Sequence, residues 1–339
     1  MKMITYITKL IIVLLLTGCS SGKLIMNHTQ ETVTAGHEAI SESQKYFSAL
    51  LILQQKRASV IYATQPNCKF NIDGNITVRI AEDPIPNPNT PLCATPLDIQ
   101  KKNAMTMSIM PLHEKMFKPD MDILSAFSDY LTALTVYTSD PKHPIGDLVN
   151  KALSKAESVK ALANLTDNQK KSINGLAAFL QRLAEEEKNG RDISKLIKNE
   201  GQKQADNLNL VKKDIHQLKD KYDNIMRRDI FNFSVDNFNK RNRDYPHPLD
   251  IEKSSDYIDK LMTLNNLTQK SIKEPTAAER AIDAFQKYHI GLISIIDDKI
   301  TDEKIKEERI KIQKDNLKEA VGYIKDIVKE FTPLLVATL

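Results

Sequence analysis

Along residues 28–63 apolar and polar positions alternate in steps of four and three: Val33, His37, Ile40, Gln44, Phe47, Leu51, Gln54, Ala58 and Ile61. That spacing is a heptad seam with three polar intrusions, and it predicts one long amphipathic, coiled-coil-like helix. A second row, Leu50, Leu53 and Val60, widens the apolar face beyond the seam of a two-stranded coil and suits a bundle. The period then changes. Phe70 and Ile72 alternate before Asp73-Gly74, and Ile76, Val78 and Ile80 alternate after it. Asp-Gly between two alternating runs predicts a β-hairpin, because both turn positions accept positive φ.

Helical spacing resumes near Leu97, with bends expected at Pro111 and Pro119, and continues through Ile123, Leu124, Phe127, Leu131 and Leu134. Residues 145–163 predict another helix. Thr166 and Gln169 are spaced as a capping box for the next, which ends near Gly190. Ile197, Gln204, Leu208, Val211, Ile215, Leu218, Tyr222 and Ile225 mark a long amphipathic helix. Further helices are expected around 257–267, from Pro275, and over 305–331 with Pro333 as the stop.

Proline placement divides this pattern. Five of the 14 prolines fall between Pro84 and Pro96, and none lies between Pro144 and Pro246. The reading is a mainly α chain: an elongated antiparallel helical bundle of long amphipathic helices with one small disulfide-closed β-hairpin insertion. Its regions are 28–144 with the insertion at 66–96, then 145–245, then 246–339, or one continuous bundle. Only 10 glycines occur in 339 residues. That is under half of ordinary usage, roughly 7%, and argues against turn-rich sandwiches, barrels and Gly-rich nucleotide folds.

The N-terminus departs from this body. Lys2 and Lys9 precede the apolar run from Leu10 to Leu16, and Leu16-Thr17-Gly18-Cys19 places small residues before a cysteine. This resembles the lipobox of bacterial lipoprotein signal peptides. The resemblance implies a signal peptide over 1–18, diacylglyceryl transfer to the Cys19 sulfur, cleavage before Cys19 and acylation of its new amine. A lipidated tether over 19–27 follows, and two or three acyl chains suffice for stable anchoring. Ser20 stands where Asp retains such proteins in the inner membrane, so an outer-membrane anchor facing the periplasm is expected. Cys68 and Cys93 remain, and an even count in an oxidising compartment predicts one disulfide.

Charge adds little: 48 basic against 44 acidic residues give +4, or +2 once Lys2 and Lys9 leave with the signal. That balance speaks against a nucleic-acid partner. HExxH, GxSxG, Walker A and GxGxxG motifs are absent from the sequence, so no catalytic residues and no cofactor are expected. The carboxylate runs 185–187 and 297–298 read as solvated helix ends. Met107, Met110, His113 and Met116 carry soft ligands in steps of three, a Cu(I)-compatible set if one helix holds them, though core packing explains methionines as well. Arg227, Arg228, Lys240, Arg241 and Arg243 interleave with Phe231, Phe233 and Phe238 as a candidate anion or partner surface. The expected function is a non-enzymatic binding or scaffold lipoprotein of the cell envelope, its partners the membrane and an unknown envelope protein. The alternatives are a membrane-active, exclusion or toxin-like surface lipoprotein and a periplasmic metal or small-ligand binder.

Overall fold

In the computed structural model the described residues are 29–57, 75–79, 93–101, 104–108, 116–224, 227–232, 234–235, 238, 251–297 and 302–336. The chain is mainly helical. Its elements are α1 (29–57), β1 (Asn75–Arg79), α2 (Pro96–Gln100), β2 (Ala104–Ser108), α3 (Lys118–Ser139), α4 (Gly146–Lys160), α5 (Asp167–Lys188) and α6 (Ser194–Leu218). A π-helical turn, Lys219–Asn224, follows α6; then come α7 (227–232), α8 (Ile251–Lys273), α9 (Ala277–Asp297) and α10 (Glu303–Val336). Two compact units assemble from separated segments. The first comprises residues up to Ser43, Phe117–Ile215 and Ala278–Lys325; the second comprises Gln44–Met116, His216–Ala277 and residues from Asp326 onward.

In the first unit α3 is the interior element. All its residues from Pro119 to Thr138 are buried except Asp122 and Ser125. Its hydroxyls manage this by bonding backward: Thr132, Thr135 and Thr138 donate to the carbonyls of Ser128, Leu131 and Leu134 at 3.1, 2.8 and 2.7 Å. A buried hydroxyl without a partner would cost on the order of 1–3 kcal/mol. Helix α4 packs on α3 and α5, and it buries the stripe Val149, Ala152, Ala156 and Val159. Helix α5 buries Ile173, Leu176, Ala177, Leu180 and Leu183. Each fully buried Leu or Ile contributes about 1.5–3 kcal/mol relative to exposure.

The capping box at α5 forms as its spacing predicts. Thr166 Oγ1 accepts from the Gln169 amide at 3.1 Å, and Gln169 Oε1 accepts from the Thr166 amide at 3.0 Å. Gly190, with φ of +66°, follows the last turn, and its amide donates to the Glu187 carbonyl at 2.9 Å. The acidic run does more than face water: Glu187 Oε1 accepts from the amides of Ile145 and Gly146 at 3.0 and 3.1 Å, closing the start of α4.

Four expectations need correction. The buried face of α1 is wider than the heptad seam and leaves part of it outside: Ile40, Phe47 and Gln54 of the seam and Leu50 and Leu53 of the second row are inside, as are Thr32, Ala39, Ser43 and Tyr46, whereas His37 and Gln44 are exposed. Small residues are the cause. A Cβ on Gly36 would collide with Ser128 Oγ, so that glycine lets α1 sit close on α3. Pro119 opens α3 in its first turn instead of bending it, where its missing N–H costs nothing. Pro333 does not stop the last helix, which runs on to Val336; so near a terminus a proline removes one bond without unwinding the rest. Residues 104–108, expected within helical patterning, form a strand.

That strand, β2, pairs antiparallel with β1, Ile76 opposite Met107 and Thr77 opposite Thr106, whose hydroxyls are 3.2 Å apart. The expected first hairpin arm, residues 69–72, and the Asp73-Gly74 turn lie outside the described residues. The Ala94 amide donates to the Thr77 carbonyl at 3.1 Å, which brings the end of the proline-rich segment against β1. Cys93 beside it is disulfide-bonded. In the same unit the buried Arg227 and Asp223 form an ion pair, and Tyr46 donates its hydroxyl to Asp223 Oδ2 at 2.8 Å. Lys219 donates to the Glu274 carbonyl at 2.6 Å, and Tyr257 donates to the Ser234 carbonyl at 3.0 Å.

Candidate functional site

A groove of about 400 Å³ opens between α9 and α10 in the first unit. The short connection makes the two helices antiparallel, and the Gln313 side chain lies over Gly291, in the place a Cβ would take. Arg280, Asp283 and Lys287 rise from α9, and Gln313, Asn316, Glu319 and Tyr323 from α10; Ala284, Leu317, Ala320 and the Tyr288 ring make the floor. Asp283 is held by Lys212 of α6 at 2.6 Å, and Glu319 accepts from the Tyr323 hydroxyl at 3.3 Å.

The floor is anchored from below. Thr135 already donates to Leu131, so its oxygen accepts from the Tyr288 hydroxyl at 2.8 Å; Thr32 Oγ1 lies 2.9 Å from the same hydroxyl. Burial raises the Tyr288 phenol above its ordinary range. The next residue, His289, points into the core, where Nε2 lies 3.0 Å from the Tyr130 hydroxyl. Phe127 and Tyr130 meet the imidazole edge-to-face at 5.4 and 5.3 Å between ring centres. Desolvation pulls its pKa down from 6.5 to about 3, so it is neutral at neutral pH, and Nδ1 has no partner among the described residues. Fully buried, this pair has no surface on which to meet a substrate.

A second buried acid–base feature lies at the start of α5. Asp120, with 0% of its surface exposed, makes no well-formed hydrogen bond through either oxygen among the described residues, though the Gln169 side chain is close enough to favour its charged form. Burial pushes its carboxyl up to about 8; Gln169 partly opposes that shift and the Asp214 charge adds to it. Asp214 is itself held by the Thr166 hydroxyl and by Asn168 Nδ2, the latter at 2.5 Å.

The residues singled out from sequence scatter. Cys19, Cys68, Met110, His113, Lys240, Arg241 and Arg243 lie outside the described residues. Met107 is on β2, and Met116 is exposed just before α3, so the segment does not provide the single helical row imagined for those ligands. The alternation of Ala104, Thr106 and Ser108 with Met105 and Met107 carried the strand signal. Arg227 is not a surface cation: it is 4% exposed and paired with Asp223. Arg228 is exposed, and Phe238 stacks on Tyr257 at 4.9 Å with a 17° interplanar angle. Pattern reading missed the groove. Its only sequence trace is Arg280, Asp283 and Lys287 in steps of three and four on the polar flank of an otherwise apolar helix.

Among the described residues no three His, Cys, Asp or Glu side chains gather as a metal site, and no helix is long and apolar enough to cross a membrane. No protein-family description, curated protein or solved structure matches this chain.

Proposed function

We propose that the chain is a lipid-anchored, non-enzymatic binding or scaffold protein of the bacterial cell envelope, held in the outer membrane and facing the periplasm. The observation that carries this reading is Leu16-Thr17-Gly18-Cys19 after a lysine-bearing, apolar segment. Cys19 is the acylated residue, and the helical body binds an envelope component. The bonded state of Cys93 supports the accompanying pairing with Cys68, which closes the segment around β1. A cross-link of that loop length stabilises by roughly 3 kcal/mol on the chain-entropy view. The polar rim of the α9–α10 groove, cations and amides over a small apolar floor, suits recognition of a ligand.

Expression in a Gram-negative host with labelled palmitate tests the anchor. The wild-type chain should take up label and fractionate with outer membranes, and Cys19→Ser should do neither. A Cys19→Ser chain that stays labelled and membrane-bound would refute the reading. Cross-linking of the anchored protein then recovers the envelope partner.

A further inference from the structure

We propose that the α9–α10 groove binds a small organic anion, a carboxylate or phosphate carried on an apolar body, with its charged end at Lys287. This inference does not rest on the lipid anchor. Four polar side chains around one concavity, Arg280, Lys287, Gln313 and Asn316, have no hydrogen-bond or ion-pair partner among the described residues. Of the two acids in the lining, Asp283 is neutralised by Lys212, and Glu319 sits with Tyr323 at the Arg280 end. Lys287 shares the groove with the amides of Gln313 and Asn316, and the carboxylate one turn before it on α9, Asp283, is already engaged by Lys212.

Arg280 and Lys287 are seven residues apart, about 10 Å along α9 at 1.5 Å per residue. Between them Ala284, Leu317 and Ala320 present small apolar surface, and Tyr323, 57% exposed, stands at the far end. Exposed cations bind a bare anion weakly, because water screens the charge. The floor must add apolar contact before affinity becomes useful. Floor and cation together select an anion with a body. The volume of about 400 Å³ falls within the range of small-ligand clefts. Tyr288, tied to Thr135 and Thr32, keeps the floor in place without the ligand.

Calorimetric titration of the full chain with octyl phosphate, inorganic phosphate and octanol tests this. Octyl phosphate should bind saturably at one site, at least tenfold tighter than either other probe. Arg280→Ala combined with Lys287→Ala should weaken it tenfold or more, and Tyr323→Ala severalfold. Lys304→Ala, an exposed cation outside the groove, should leave it unchanged. All four positions are exposed, and unchanged thermal unfolding verifies folding. Octanol binding as tightly as octyl phosphate, or octyl phosphate binding unaltered in the folded double variant, overturns the proposal. Competition by phosphatidylglycerol vesicles assigns the anion to a lipid headgroup, and its absence assigns it to a soluble molecule.

Discussion

The Tyr130 hydroxyl lies 3.0 Å from Nε2 of His289, joining α3 to α9 across 159 residues of chain inside the first unit. Removing it leaves a second imidazole nitrogen unsatisfied beside Nδ1. Tyr130→Phe should therefore destabilise by about 1–3 kcal/mol, the cost of an unpaired buried polar group. Urea unfolding at pH 7 measures this. A loss below a few tenths of a kcal/mol would show that the bond contributes nothing net.

His289 and Asp120 give stability a particular pH dependence. His289 falls from 6.5 to about 3 on folding, so its contribution is complete above pH 6.5 and is lost as pH drops towards 3. Asp120 rises from 3.8 to about 8, so its contribution is complete below pH 3.8 and is lost as pH climbs to 8. Each slope is at most about 1.4 kcal/mol per pH unit. The two oppose each other between pH 3.8 and 6.5 and leave Asp120 acting alone from there to 8. Asp120→Asn should flatten the decline above pH 6.5 and gain about 1 kcal/mol or more by pH 8. Chemical denaturation across that window reads it; a variant curve parallel to wild type contradicts the buried neutral acid.

Gly36→Ala sets helix propensity against space. In an open helix the change gains up to about 1 kcal/mol. Here the new methyl meets Ser128 Oγ, and overpacking of this kind costs about 1–3 kcal/mol. The single variant should be less stable than wild type. Ser128→Ala together with Gly36→Ala should recover most of the loss, whereas additive losses would mean the helices do not approach through this pair.

Thr166 serves both the α5 cap and Asp214. Thr166→Ala should cost about 1–2 kcal/mol. Thr166→Ser, which keeps the hydroxyl, should restore most of it, as thermal unfolding would show.

The parts of the fold that were legible in sequence were those set by local chemistry. Thr166 and Gln169 announce their cap, and Ile197, Leu208, Val211 and Ile215 mark the inner face of α6, because spacing alone decides each. Legibility failed where a distant segment decides. Gly36 and Ala39 carry no hydrophobic signal, yet Ser128 on another helix makes them the contact face of α1. Residues 104–108 alternate as a strand does, but five residues are too few to decide without the partner edge that β1 supplies. Arg227 looked like a surface cation until Asp223 and burial engaged it. The groove needed the pairing of α9 with α10, which no window of sequence contains.

The enclosure of α3 also sets an order of events during synthesis. Its apolar surface emerges at residues 118–139, while α9, which supplies Tyr288 and His289 to cover it, begins at residue 277. At about 5–20 residues per second, α3 waits roughly 7–28 seconds for that cover. Throughout that interval the first unit cannot close, and the nascent chain carries a sticky, unfinished interior that a holding chaperone would recognise. If the chain is exported as the lipoprotein proposal requires, the delay is an asset: late closure keeps it threadable until α9, from residue 277, has been made.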